Sequence, residues 1–297
     1  MNSVSVIILA GGPNQPPLQK ALGFPVAGLP LEPDRTILTA WLEVIERTAC
    51  GLQSPIYLLC STAADAEWFS AELRRGGRNF ASVDVRLDIR SHRGVCGLLA
   101  DTAGACPLAD RLLLIELNTL PPRSLSPLLE VGTAPDLAMA VASSRDERPS
   151  GAFVLKSSLL EDVPRLGYVD LKEQFLPQLV ARGCRIGSAV LAETSVRVID
   201  RRNYLRGIRI WQSDRDPSSG ASGVAGSSVV CEGVANLANS FVLDSVVLPG
   251  ATIGQGAVIA RSVVGPLMQV PDGAVLVAAV LAHPRLGAGT GEFTTAQ

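Results

Sequence analysis

Lysine, histidine and aromatic side chains are scarce in this 297-residue chain. Of its 26 basic residues only Lys20, Lys156 and Lys172 are lysines, and its two histidines are His92 and His283. Six scattered cysteines, at 50, 60, 96, 106, 184 and 231, include no CxxC pair, so with so little histidine the spacing argues against a structural zinc site. A formal charge of −2 provides no basic field for nucleic acid, which is not expected as a partner. No apolar run reaches the roughly 18 residues of a membrane span, and the apolar stretch in the opening MNSVSVIILAGG has neither a basic flank nor a small-residue cleavage pattern. The expectation is a cytoplasmic chain with no membrane partner.

Present instead are 47% apolar residues, nearly all aliphatic because aromatics make up 4%, together with 28 glycines and 20 prolines. Val4 to Ala10 is a β-branched run ending in Gly11-Gly12, the pattern of a strand buried on both faces of a parallel sheet. A proline-rich loop follows, then Asp34 as a capping residue before a helix with Ile37, Trp41, Leu42 and Ile45 on one face. Strands are predicted over 54–60, 82–89, 111–117, 137–142, 151–155 and 185–191, and helices over 64–75, 97–109 and 171–182. This βαβ alternation predicts a doubly wound sheet whose ligand lies at the carboxyl ends of its strands. Chemistry is therefore expected in the Gly11-Gly12 loop and after Ile89 and Leu117.

The domain is expected to span 1–212, closed by 203–211, with a small-residue linker over 213–227. Beyond it Val229, Ala235, Phe241, Val247, Ile253 and Ile259 recur every six residues, with mostly small residues four positions later. That period predicts a hexapeptide parallel β-helix over 228–282 with about three coils, followed by a tail over 283–297.

Leu9-Ala10-Gly11-Gly12, Gly94-Val-Cys-Gly-Leu-Leu, Asp170-Leu-Lys-Glu-Gln-Phe-Leu-Pro-Gln-Leu, Ile199-Asp-Arg-Arg-Asn-Tyr-Leu and the hexapeptide repeat together resemble the sugar-1-phosphate nucleotidyltransferases, over nearly the whole chain. The resemblance implies a Rossmann-like, glycosyltransferase-A-like mixed sheet domain and a left-handed β-helix. It implies substrate-binding roles for Gly11, Gly12, Gly94, Gly97, Gly151, Lys172 and Glu173, and a catalytic role for Lys20. The family joins a nucleoside triphosphate to a sugar phosphate with Mg²⁺ held by carboxylates.

Here the chain departs from that pattern. The family's GxGTR loop is replaced by Gly12-Pro-Asn-Gln-Pro-Pro, with no arginine and few backbone donors. Asn118 and Arg197 stand where the family has its Mg²⁺-binding aspartates, and Glu116, on the same strand face as Asn118, is the one substitute carboxylate. No resident cofactor is expected, and Mg²⁺ only if activity survives. Cys96 and Cys106 read as buried small hydrophobes. His283, beyond the last repeat, has no nearby carboxylate to orient it as an acyltransferase base. Two functions stay open: an active sugar-1-phosphate nucleotidyltransferase, or a degenerate one that binds nucleotide or sugar phosphate and serves as a regulatory or oligomerising subunit, as a homo-oligomer or with an active paralogue. The three lost catalytic elements favour the second.

Overall fold

A computed structural model describes residues 3–12, 14–48, 52–75, 82–88, 90, 93–192, 194–213 and 224–283. The expected loop after Ile89, most of the linker, the tail from 284, Cys50 and His92 lie outside the described residues. In chain order the elements run β1 (Val4–Leu9), α1 (Pro17–Leu22), β2 (Pro30–Glu32), β3 (Arg35–Thr36), α2 (Ile37–Arg47), β4 (Leu52–Cys60), α3 (Ala63–Arg75) and β5 (Val83–Leu87). They continue with α4 (Gly94–Ala105), β6 (Arg111–Glu116), α5 (Ser126–Gly132), β7 (Met139–Ser144), β8 (Pro149–Lys156), a π turn (Leu171–Phe175), α6 (Leu176–Ala181), β9 (Ile186–Ala192) and α7 (Arg201–Ser213). Short strands follow. Backbone proximity divides the chain into two compact units, Met1–Gln15 with Trp41–Ser195, and Pro16–Ala40 with Val196–Gln297.

The first unit is a seven-stranded sheet in the order β5-β4-β1-β6-β8-β7-β9. β1 lies parallel to β4 and β6, whereas β8 is antiparallel to both β6 and β7, so the sheet is mixed. The mostly apolar runs of β1 and β6 follow from burial on both faces: all six β1 residues and five of the six β6 residues are buried, and Ser5, the one polar residue of β1, is satisfied by accepting the Ala109 N–H at 2.9 Å. One face packs Ile7, Leu112, Leu114 and Phe153 with Cys96 and Leu99 of α4 and with Leu171 and Phe175. No helix among the described residues is long and apolar enough to cross a membrane.

Several local expectations are corrected. The proline-rich segment contains α1, because Pro17 at the first helical position gives up only an N–H that would be unpaired anyway, and Gly23 closes the helix at φ +81°. α2 is capped by Thr36, whose Oγ1 accepts the Thr39 N–H while Thr39 Oγ1 accepts the Thr36 N–H; Asp34 takes no part. α4 begins at Gly94, three residues early, and α5 fills a stretch with no expected element.

In the second unit, Val242 pairs in parallel with Ile259 and Ile259 with Leu276; Val247 pairs with Val264 and Val264 with Leu281; Ile253 pairs with Val270. From Val229 on the chain thus returns every 17 residues, whereas the first pairing, Val224 with Val242, spans 18. Val242, Val247, Ile253 and Ile259 pack together in the interior, at steps of five, six and six. The constant six-residue register fails at Phe241, which is 45% exposed, and at Ala235, also exposed. The five-residue side turns at Asp244, φ +47°, and Ser245, whose buried hydroxyl donates to Leu243 O at 2.7 Å and accepts the Ser262 N–H at 3.0 Å.

Candidate functional site

The carboxyl ends of β1 and β6 lie side by side, with Leu9 in register with Glu116, and the Leu117 N–H donates to Leu9 O at 3.0 Å. Gly11 and Gly12 continue from β1 as exposed backbone with open space where a side chain would be. Ser61 Oγ, just past β4, donates to Gly11 O at 2.9 Å and ties that loop to the next strand. After β6 the chain turns sharply, with the Thr119 N–H and hydroxyl both bonded to Glu116 O, at 3.2 and 2.7 Å, and the Trp41 indole N–H donating to Thr119 O at 2.7 Å. Asn118 is half-buried in this turn. Gly151 on β8 has φ +70°, and a Cβ there would lie 2.7 Å from Thr119 Oγ1, so glycine is required for the turn to pack.

Leu112, Leu114 and Glu116 alternate onto the same face of β6, and Phe153 meets the two leucines there from β8. Over that face lies the π turn. Asp170 caps it, accepting the Lys172 and Glu173 N–H groups at 2.7 and 2.8 Å, while Gln174 Oε1 accepts the Asp170 N–H at 2.7 Å. The wider turn, closed by the Phe175 N–H on Asp170 O at 2.9 Å, moves the reciprocal partner of this capping box from residue 173 to 174. Glu173 is left exposed, and Lys172 points back to the sheet.

There Lys172 Nζ lies 2.7 Å from Glu116 Oε1 and 5.4 Å from the centre of the Phe153 ring. The Glu116 side chain is 15% exposed and that of Lys172 36%, so the pair is half-sheltered at the end of the sheet. An aromatic face beneath an ammonium adds attraction to its charge. Two residues singled out separately in the sequence are therefore bonded to each other, and Phe153, which sequence reasoning missed, completes the cluster. The signal for it was the alternation that puts 151 and 153 on one strand face.

The other glycines are taken up by packing. Gly94, at φ +71°, would place a Cβ 2.5 Å from Val169 O, and a Cβ on Gly97 would meet Arg93 at 2.6 Å. Val169 is held there because its N–H donates to Arg93 O at 2.9 Å and its carbonyl accepts the Cys96 N–H at 3.1 Å. Cys96 and Cys106 are buried, and burial pushes the Cys96 thiol up to about 12. Lys20 and Arg197 belong to the second unit. Lys20 is exposed in the last turn of α1, where a cation suits the helix dipole; Arg197 and His283 are also exposed. Among the described residues no three His, Cys, Asp or Glu side chains gather in a way that could hold a metal ion.

No family model matches the chain. Over 49 residues it is 47% identical to the glucose-1-phosphate adenylyltransferases of Bacillus thuringiensis (strain Al Hakam) and Bacillus mycoides (strain KBAB4). That stretch is 16% of this chain, which spans 13% of the length of these curated relatives. HddC from Yersinia pseudotuberculosis superposes with a TM-score of 0.54 at 17% identity, covering 72% of this chain and 100% of that one. The chain shares the fold of HddC. The same protein complexed with GMP-PN gives a TM-score of 0.53 at 16% identity, with the same coverage. The parallel-dominated mixed sheet thus has the fold of HddC, and the short match is a local similarity to glucose-1-phosphate adenylyltransferases.

Proposed function

We propose that this chain is a degenerate relative of the sugar-1-phosphate nucleotidyltransferases that binds a nucleotide or sugar phosphate without transferring a nucleotidyl group, and acts as a regulatory or oligomerising subunit. One observation carries the reading: the Lys172–Glu116 ion pair. Glu116 is the carboxylate on the metal-facing strand end, and a lysine ammonium already occupies its Oε1. Mg²⁺ demands several hard oxygen ligands in near-octahedral geometry. An engaged carboxylate and the neutral Asn118 amide do not fit that ion. A phosphate arriving at this strand end would have to compete with Glu116 for the Lys172 ammonium, which carries one positive charge where a metal would contribute two and a template.

Because HddC has been crystallised complexed with GMP-PN, guanine nucleotides are the first ligands to try. The stacked parallel strands of the second unit are read as a left-handed hexapeptide β-helix. An oligomerising role is supported by its outward row Phe241, Val258 and Val275, paired in register, with Phe241 and Val275 45% and 66% exposed and no charge among them. A second copy of this chain is the partner this reading selects. Titration calorimetry with GTP in EDTA tests the binding half, and sedimentation the oligomer. Saturable metal-free binding weakened by Lys172→Met supports the reading; binding that appears only with Mg²⁺ contradicts it.

A further inference from the structure

Arg93 fastens both ends of the segment that delivers Lys172. It stands just before α4, and its side chain runs along the first turns of that helix in the space that Gly97 leaves: a Cβ there would meet Arg93 Cβ at 2.6 Å and Nε at 3.1 Å. Arg93 is buried, and all three of its guanidinium nitrogens are engaged. Nε and Nη2 donate to the two oxygens of the Asp101 carboxylate, each at 3.3 Å, and Nη1 donates to Pro164 O at 2.7 Å.

Further along the chain, the Val169 N–H donates to the backbone carbonyl of Arg93 at 2.9 Å. Residues 164–169 thus form a strap tied at one end to the Arg93 side chain and at the other to its main chain. Between the ties Leu166 and Tyr168 are 86% and 56% exposed, so apolar burial does not hold the middle of the strap down. Its last residue, Val169, is seated against Gly94 and joins the core with Leu171. Asp170 follows directly and caps the π turn from which Lys172 reaches Glu116. A half-exposed ion pair is too weak to place its own backbone, so the position of Lys172 is set upstream, at the strap.

We infer that Arg93 is the positioning residue of the Lys172–Glu116 cluster. Through Pro164 O and the Val169 N–H it fixes where Asp170, and with it Lys172, stands. Arg93 therefore controls affinity at that strand end while acting only through Lys172. The effect on affinity rests on the nucleotide-binding reading above; the placement of Lys172 does not.

The test reads titration calorimetry with GTP in EDTA and amide hydrogen exchange on the same full-length variants. Arg93→Met is expected to weaken GTP binding about tenfold, as Lys172→Met does, and the double variant to lose no more than either alone, because both act through one ammonium. Arg93→Lys keeps a charge but not the fork, and should recover part of the loss. Asp101→Asn leaves the guanidinium and its bond to Pro164 O in place; it is the milder variant if Arg93→Met does not fold, and should shift affinity the same way by a smaller factor. In Arg93→Met, or in Asp101→Asn in its stead, the Val169, Lys172 and Glu173 amides should exchange faster while the Ser262 amide of the second unit keeps its protection, a contrast that uniform destabilisation does not produce. A folded Arg93→Met with parental GTP affinity, losses that multiply in the double variant, or unchanged exchange at these three amides would overturn the inference. A parent chain that binds no GTP without metal contradicts the nucleotide-binding reading instead, and the exchange contrast then decides on Arg93 by itself.

Discussion

Lys172 Nζ and Glu116 Oε1 are 2.7 Å apart, the lysine on a π turn and the glutamate at the last position of a central strand. Because Glu116 stands in register with Leu9, the pair closes off the strand end next to the Gly11-Gly12 loop. With Lys172 about a third exposed, solvent screening holds its contribution to about 1 kcal/mol. In a double-mutant cycle, Glu116→Gln and Lys172→Met should each cost about 1 kcal/mol or less in urea unfolding, with a coupling of about 0.5–1 kcal/mol. Strict additivity would mean that the pair does not form.

Two glycines of α4 should respond oppositely to alanine. Gly94→Ala meets a left-handed backbone and Val169 O at 2.5 Å, so it should destabilise by about 2 kcal/mol or more. Gly104, helical and exposed with nothing within 4 Å, should gain about 0.5–1 kcal/mol as alanine. Thermal unfolding of both variants checks the contrast, and equal shifts would contradict it.

What was legible in the sequence was whatever a repeating pattern encodes. The β-branched run of β1 and the apolar run of β6 show as buried strands because burial on both faces leaves few polar positions, Ser5 and Arg111 being the buried exceptions. The stacked strands show because their interior positions are spaced nearly evenly. A count in sixes cannot detect a five-residue side, which arises where Ser245 folds its hydroxyl inward, so Phe241 was placed inside and its neighbour Val242 took that position. α1 was hidden by the prolines that begin it. Gly94 and Gly97 looked open to a ligand because sequence shows that a side chain is missing but not that Val169 and Arg93 fill the space. Lys172 and Glu116 were each visible, but their bond depends on a π turn that no periodicity announces.

The serine column offers a local test of the second unit. Ser245 Oγ accepts the Ser262 N–H, and Ser262 Oγ accepts the Ala279 N–H at 3.1 Å, 17 residues apart each time. Ser245→Ala leaves a buried N–H without a partner and should cost about 1–3 kcal/mol. Hydrogen exchange should show the Ser262 amide losing protection in that variant; unchanged exchange and stability would count against the column.

Alkali should weaken the fold through its thiols. Burial raises Cys60, Cys96 and Cys231 from 9.0 to about 12, so the folded chain keeps protons that the unfolded chain releases. This stability is fully present below pH 9 and is lost as pH rises toward 12, by about 1.4 kcal/mol per unit for each thiol. Urea midpoints at pH 8 and about pH 10.5 should fall accordingly, with Cys96→Ala showing a shallower decline. A level profile would contradict the burial of these groups.

The most direct measurement is pyrophosphate release by the purified chain, with Mg²⁺ present and then chelated, across sugar-1-phosphate and nucleoside triphosphate pairs. Release that never exceeds the enzyme-free control under either condition is the expected result. Sustained Mg²⁺-dependent turnover with even one pair, abolished by Glu116→Gln, would show that Glu116 leaves Lys172 to serve a metal, and would return the chain to the active nucleotidyltransferases.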